Sequence, residues 1–181
     1  IDGEWGLAMR LDSTVKYPYQ MTLGAIQDEK LIYEMGVDIG EQCQRLGIQV
    51  NFAPVVDVNV NPKNPIINAR SFGENKYNVA QKGIAYMKGM QSVNVLANAK
   101  HFPGHGDTDM DSHKSLPIIN HDVNRMDSVE LYPFKQLIEN ELASMMVAHL
   151  YIPAYENTTN MATTLSKKVV TNLLQDSLGF K

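Results

Sequence analysis

The chain has 181 residues, 16 Lys+Arg against 20 Asp+Glu for a formal net charge of −4, and 44% hydrophobic residues. That length fits one domain or a large part of one, the composition is globular, and the acidic balance without a basic run excludes the cationic stripe that nucleic-acid binding needs. No stretch reaches the roughly 18 apolar residues of a membrane-spanning helix; the most apolar segment, 144–155, is broken by His149 and Pro153.

The chain opens Ile1-Asp2-Gly3-Glu4, an apolar-to-acidic stub with none of the features of a targeting segment. From Asp28 to Leu46, the residues Ile32, Met35, Ile39, Cys43 and Leu46 recur at steps of 3, 4, 4 and 3. This spacing predicts an amphipathic helix stopped by Gly47. Cys43 is the only cysteine, so it has no internal disulfide partner. Ile48–Ala53, closed by Pro54, reads as a buried strand. The helical pattern returns over Tyr77–Ser92 through Ala80, Ile84 and Met87, followed by a strand at Val95–Lys100. A helix over Pro133–Glu141 has proline in its first turn, Ser144–His149 is a third strand, and Ser166–Leu178 is a terminal helix with Ser166 as its cap.

The strands start at 48, 95 and 144, each followed by a helix. Repeated βα units predict a parallel sheet, because parallel neighbours require a crossover. The loops preceding the strands are short, whereas those following them run over 54–76, 101–126 and 149–165. Long loops at the C-terminal ends of parallel strands are where a (β/α)8 barrel or an open α/β sheet places its chemistry. A full barrel takes about 250 residues. The expected fold is therefore α/β, a partial (β/α)8 TIM barrel covering roughly its middle half, with Ile1-Asp2 as a fourth strand stub.

Four of the five histidines (His101, His105, His113 and His121) fall in one segment after the second strand. His101 and His105 have the spacing of two metal ligands on one helix face, but Pro103-Gly104 between them breaks a helix. Gly104-x-Gly106 is too short for a phosphate cradle and instead gives the backbone freedom to approach a ligand closely. Asp111 and His113 are two apart, so in extended chain both project to one side. A carboxylate beside an imidazole favours the protonated ring, which suits a general acid near neutral pH. Asp2, Arg70, Lys100, His101 and His149 sit at the same ends of the predicted strands, a polar ring suited to a ligand dense in hydroxyls. Asp57 follows a strand too, either as part of this ring or as a loop cap. Trp5 reads as a core contact more than as a platform for a sugar ring.

Lys100-His101-Phe102-Pro103-Gly104-His105-Gly106-Asp107-Thr108, followed by Asp111-Ser112-His113, resembles the signature of glycoside hydrolase family 3 β-N-acetylglucosaminidases of the NagZ type. Asn51–Asn59, Arg70-Ser71-Phe72-Gly73 and Leu178-Gly179-Phe180-Lys181 extend the resemblance over the whole chain. It implies that residues 1–181 are a fragment of a single family 3 N-terminal TIM-barrel domain. It further implies a retaining, bacterial exo-hydrolase that removes terminal β-N-acetylglucosamine, typically from peptidoglycan fragments, without cofactor or metal. His113 would be the acid/base and Asp111 its partner, while Asp2, Arg70, Lys100 and His101 would bind sugar hydroxyls. The family's Asp-Gln-Glu-Gly-Gly is replaced here by Asp2-Gly3-Glu4-Trp5-Gly6. Its nucleophile is an aspartate on the strand after the helix ending Leu178–Lys181, and no residue here matches it. The expectation is that the remaining barrel segment of the same parent protein completes the site, and that this chain alone is inactive.

Alternatives from the same residues are a family 3 β-glucosidase-like activity and a metal-dependent hydrolase built on the histidine-rich loop. A non-catalytic sugar-binding module is another. A phosphorylase is a fourth, since an imidazole base repels an incoming phosphate less than a carboxylate would. Compartment, cytoplasmic or periplasmic, stays open.

Overall fold

The computed structural model describes residues 1–110 and 116–181. Its helices are α1 (Gln20–Leu23), α2 (Glu29–Arg45), α3 (Lys76–Ser92), α4 (Val123–Arg125) and α5 (Tyr132–Glu139), and its strands are β1 (Val50–Asn51), β2 (Leu96–Phe102) and β3 (Ser144–Val147). The strands form one parallel sheet in the order β1-β2-β3, as the βα alternation predicts. The sheet and its crossover helices account for the partial α/β architecture.

The long helices begin where capping chemistry is available. Asp28 accepts from the Lys30 amide at 3.0 Å, and Asn75 accepts from the amides of Tyr77 and Asn78 at 2.9 and 3.2 Å. Gly47, at φ 70°, ends α2 as the pattern predicts. α2 and α3 then pack backbone to backbone. A Cβ on Gly89 would lie 2.2 Å from the Tyr33 carbonyl oxygen and 2.8 Å from the Gly36 Cα, so only glycine permits this approach. Below the helices, Ile32, Ile39, Met87 and Met90 join Ala97, Ala99 and Phe102 of β2 in a single core, and Phe102 meets Phe134 of α5 edge-on at 5.4 Å.

Three expectations are corrected. The predicted strand Ile48–Ala53 keeps regular pairing only over Val50–Asn51, because the Ala53 amide donates back to the Asn51 carbonyl at 2.8 Å and Pro54 has no amide to give the ladder. It still runs beside β2, with the Asn98 amide donating to the Ala53 carbonyl at 2.8 Å and the Val56 amide to that of Lys100 at 2.8 Å. β2 extends through Phe102, whereas β3 stops at Val147, before His149. The terminal helix, Lys168–Ser177, is wound as a π-helix and not as the α-helix its periodicity suggests. Ser166 does serve its start, accepting from the Val169 amide at 3.3 Å while donating to Glu156 at 2.7 Å.

The stub at Ile1-Asp2 lies beside β1. The Phe52 amide donates to the Ile1 carbonyl at 2.8 Å, and the buried Asn51 side chain accepts from the Gly3 amide at 2.9 Å and donates to the Gly3 carbonyl at 3.2 Å. Trp5 is half-buried against the Tyr19 ring at 4.7 Å and does not border the cavity described next.

Candidate active site

β2 and β3 lose register between Lys100 and Phe102: Lys100 pairs with Met146 and Phe102 with Val147. His101 is thus the extra residue of a bulge, a device that re-aims a side chain from its regular alternation. Lys100 and His101, neighbours in a strand, accordingly both border the same cavity of about 650 Å3. Asp2 and Arg70 border it as well, so the structure brings the four predicted binding residues together.

These side chains form one charged network. Lys100 Nζ lies 3.0 Å from Asp2 Oδ1 and 2.7 Å from Glu4 Oε1. Arg70 grips Glu4 through Nε to Oε2 at 2.9 Å and Nη2 to Oε1 at 2.7 Å, a bidentate pair. The turn Asn68–Arg70 that carries Arg70 is pinned by the Asn59 side chain, which accepts from the Asn68 amide at 3.1 Å. Lys100 and Glu4 are almost completely buried, at 2% and 1% side-chain exposure, so each charge depends on its partners for solvation. Burial pushes the Glu4 carboxyl up, but Arg70 and Lys100 outweigh it and hold Glu4 below the usual range. Asp2 behaves alike: Lys100 and Arg10 overcome its partial burial. Arg70 is raised, because Glu4 outweighs the effect of burial.

Behind His101 lies Asp57, fully buried. It accepts from His101 Nδ1 at 2.7 Å, from the His101 amide at 3.2 Å and from the His105 amide at 2.7 Å. Burial pushes the Asp57 carboxyl up, and these two histidine residues more than reverse it. On the other side, His101 Nε2 faces Arg70 Nη2 at 3.3 Å. Arginine only donates, so Nε2 accepts and the ring proton sits on Nδ1 toward Asp57. Of its two sequence readings, Asp57 acts as the cap, though of the loop after β2: it accepts the amides of His101 and His105 and does not itself border the cavity.

The glycines after His101 pack on the chain itself, Gly104 against the Glu130 side chain and Gly106 against the Val58 backbone. Gly104 adopts φ 130°, and a Cβ on Gly106 would lie 1.9 Å from the Val58 carbonyl oxygen. The close approach expected toward a ligand is thus made to the loop after β1, locking the two loops together.

Asp111 and His113, the expected acid/base pair, lie outside the described residues. His121 pairs with Asp107 at 2.6 Å, and His149 reaches the cavity's edge with Nδ1 on Thr164 Oγ1 at 2.8 Å. His101 and His105 have their Nδ1 atoms on Asp57 and Thr108, and His101 Nε2 faces Arg70. Among the described residues no group of three or more His, Cys, Asp and Glu side chains converges as a metal site would.

Sequence reasoning missed Arg10, which binds Asp2 at 3.0 Å, and the apolar wall of Met9, Ile66, Met146, Val147 and Ala148. It noticed Glu4 without assigning it a role. Glu4 sits two residues after Asp2, and that i, i+2 spacing is the signal that would have found it.

The sequence profile of the family described as "Glycosyl hydrolase family 3 N terminal domain" matches residues 1–181. A β-hexosaminidase A from Pseudoalteromonas piscicida is 38% identical over 196 residues, covering 100% of this chain and 33% of that protein. A β-hexosaminidase from Nitrosomonas eutropha is 32% identical, covering 100% of this chain and 53% of its own length. The solved structure of a glycoside hydrolase family 3 β-N-acetylglucosaminidase from Paenibacillus sp. str. FPU-7 superposes with a TM-score of 0.95 at 42% identity, over 99% of this chain and 34% of that one. The chain therefore spans between a third and about half the length of these relatives. With a family profile matched from end to end and a family 3 structure superposing over 99% of it, this chain belongs to glycosyl hydrolase family 3, as part of its N-terminal domain.

Proposed function

We propose that this chain carries part of the active site of a glycosidase that removes terminal β-linked N-acetylglucosamine, and that residues 1–181 are a portion of one (β/α)8 barrel, roughly its middle half. The observation that carries this reading is the composition of the cavity. Two carboxylates, Asp2 and Glu4, face three cations, Lys100, Arg70 and Arg10, so the wall offers many fixed donors and acceptors paired with one another. Such a surface suits a ligand dense in hydroxyls, which both donate and accept. The apolar lining residues Met9, Ile66, Met146, Val147 and Ala148 suit the C–H face of a sugar ring. In this reading Asp2, Arg70, Lys100 and His101 hold the hydroxyls, His113 delivers the proton to the leaving oxygen, and Asp111 orients its ring. The similarity to proteins named β-hexosaminidase and β-N-acetylglucosaminidase supports the choice of sugar.

Retention of configuration needs a second carboxylate about 5 Å from the acid/base. We assign that role to neither Asp2 nor Glu4, which are held by cations, nor to Asp57, buried behind His101. The 181 residues alone are accordingly expected to leave substrate uncleaved.

The test is hydrolysis of an aryl β-N-acetylglucosaminide by the intact protein and its His113→Ala variant. A loss of about 100-fold or more in kcat/KM, smallest for the best leaving groups, is expected for a proton donor. Unchanged turnover would remove His113 from the mechanism, and absence of the activity in the intact protein would remove the reading.

A further inference from the structure

The end of β3 brings three consecutive apolar residues to the cavity, Met146, Val147 and Ala148, and follows them with His149. We propose that His149 reads the 2-acetamido group of the bound sugar, its Nε2 pairing with the amide while the methyl rests on the three apolar residues. The inference rests on the carbohydrate reading given above and names the part of the wall that selects an N-acetylated sugar.

His149 is accessible and yet held. It is exposed and borders the cavity, so a ligand can reach it. Its neighbours in the chain are fixed by Thr163, which is fully buried. The Thr163 hydroxyl donates to the Ala148 carbonyl and accepts from the Leu150 amide at 3.2 Å, and the Thr163 amide donates to the Leu150 carbonyl at 2.7 Å. The Ala148 amide is tied in turn to the Phe102 carbonyl of β2 at 2.7 Å. Thr164 then takes the ring, with Oγ1 2.8 Å from Nδ1. Thr164 does not border the cavity. The two nitrogens of an imidazole direct their hydrogen bonds away from each other. A partner outside the cavity on Nδ1 therefore turns Nε2 away from Thr164, toward the space that His149 borders. A ring tied in this way has its orientation set before a ligand arrives, which lowers the cost of binding.

The chemistry of the ligand group follows from the apolar residues and the ring together. The Thr164 hydroxyl both donates and accepts, so it satisfies Nδ1 in either tautomer. Nε2 is left to donate to a carbonyl oxygen or to accept from an N–H. An acetamido group carries both and ends in a methyl. A hydroxyl on the same sugar carbon gives Nε2 a partner but covers none of the apolar surface beside it.

The test compares kcat/KM for an aryl β-N-acetylglucosaminide and the matching aryl β-glucoside, which has a hydroxyl in place of the acetamido group, in the intact protein. His149→Ala should cut the preference for the N-acetylated substrate about tenfold. His149→Gln, which sets an amide near the place of Nε2, should recover part of that loss. A preference unchanged in His149→Ala overturns the inference while the carbohydrate reading stands. If the unaltered protein cleaves neither substrate, the carbohydrate reading falls and this inference with it. A measurement on the unaltered protein guards against misfolded variants: the Nε2 nitrogen resonance of His149 should move on adding N-acetylglucosamine and move much less with glucose. A resonance that ignores the first sugar, or answers both alike, also overturns the inference.

Discussion

Asp57 and Asp107 each hold a histidine, His101 at 2.7 Å and His121 at 2.6 Å. The first pair is shut away, with Asp57 at 0% side-chain exposure and His101 at 16%; in the second both partners are 26% exposed. Asp57 also takes the amides of His101 and His105, and through His101 Nε2 it is linked to Arg70 and the cavity wall. The Asp107–His121 pair bridges the loop after β2 without joining that network. The same two side-chain types at the same separation thus do different jobs, because burial turns a contact into an obligation. A carboxylate out of water must be given donors, and the donors it takes become fixed in place.

Removing each carboxylate separates the two cases. Asp57→Ala strips two amides and a ring N–H of their acceptor at once, and should cost about 3–5 kcal/mol in urea unfolding. A cost below about 1 kcal/mol would erase the distinction drawn here. Glu4→Gln, one step along the buried network, leaves Arg70 with a neutral partner and Lys100 with Asp2 alone. A loss of about 1.5–3 kcal/mol is expected, with weaker sugar binding measured in the same preparation.

Acid titration sharpens the contrast further. Asp57 and Glu4 are held below their ordinary values of 3.8 and 4.5, and Glu156 is pulled down to about 2 by the Ser166 hydroxyl and the Thr158 amide. A carboxyl with a lowered folded-state pKa binds fewer protons folded than unfolded. Its contribution is complete above the unfolded value and disappears as pH falls through the folded one. Stability should therefore decline as pH falls from about 4.5 toward about 2, and the slope in that window should flatten in Glu156→Gln. An unaltered slope would show that Glu156 has no part in it. The smallest effect belongs to the exposed pair: Asp107→Ala should change unfolding by no more than about 1 kcal/mol, shrinking further in high salt. A larger loss would mean that the loop after β2 depends on this contact after all.

Most of the secondary structure was legible in advance because periodicity is local. Ile32, Met35, Ile39 and Cys43 mark one face of α2 whatever lies opposite, and all four are buried as that face requires, whereas Leu46, the fifth residue of the pattern, falls at the C-cap and is exposed. The shortening of β1 was not legible, since it turns on the Ala53 amide donating back to the Asn51 carbonyl. Neither was the π winding of the last helix, whose apolar spacing serves an α-helix equally well. In the site, the polar ring of Asp2, Arg70, Lys100 and His101 could be guessed from strand ends, since β-strand direction aligns those ends on one face. Arg10 could not, because nothing in its own stretch of sequence marks it and only its pairing with Asp2 brings it to the cavity.

Taken by itself, the chain's pattern of apolar residues, glycines and caps determined the βα order, the parallel sheet and the end of the sheet where the chemistry gathers. The tertiary structure alone decided who pairs with whom: Lys100 with Asp2 across 98 residues, Arg70 with Glu4 across 66, His101 with Asp57 across 44. Those choices depend on which strand ends become neighbours and where β2 bulges. Buried charges take the partners that packing brings within 3 Å, and no spacing along the chain encodes that distance.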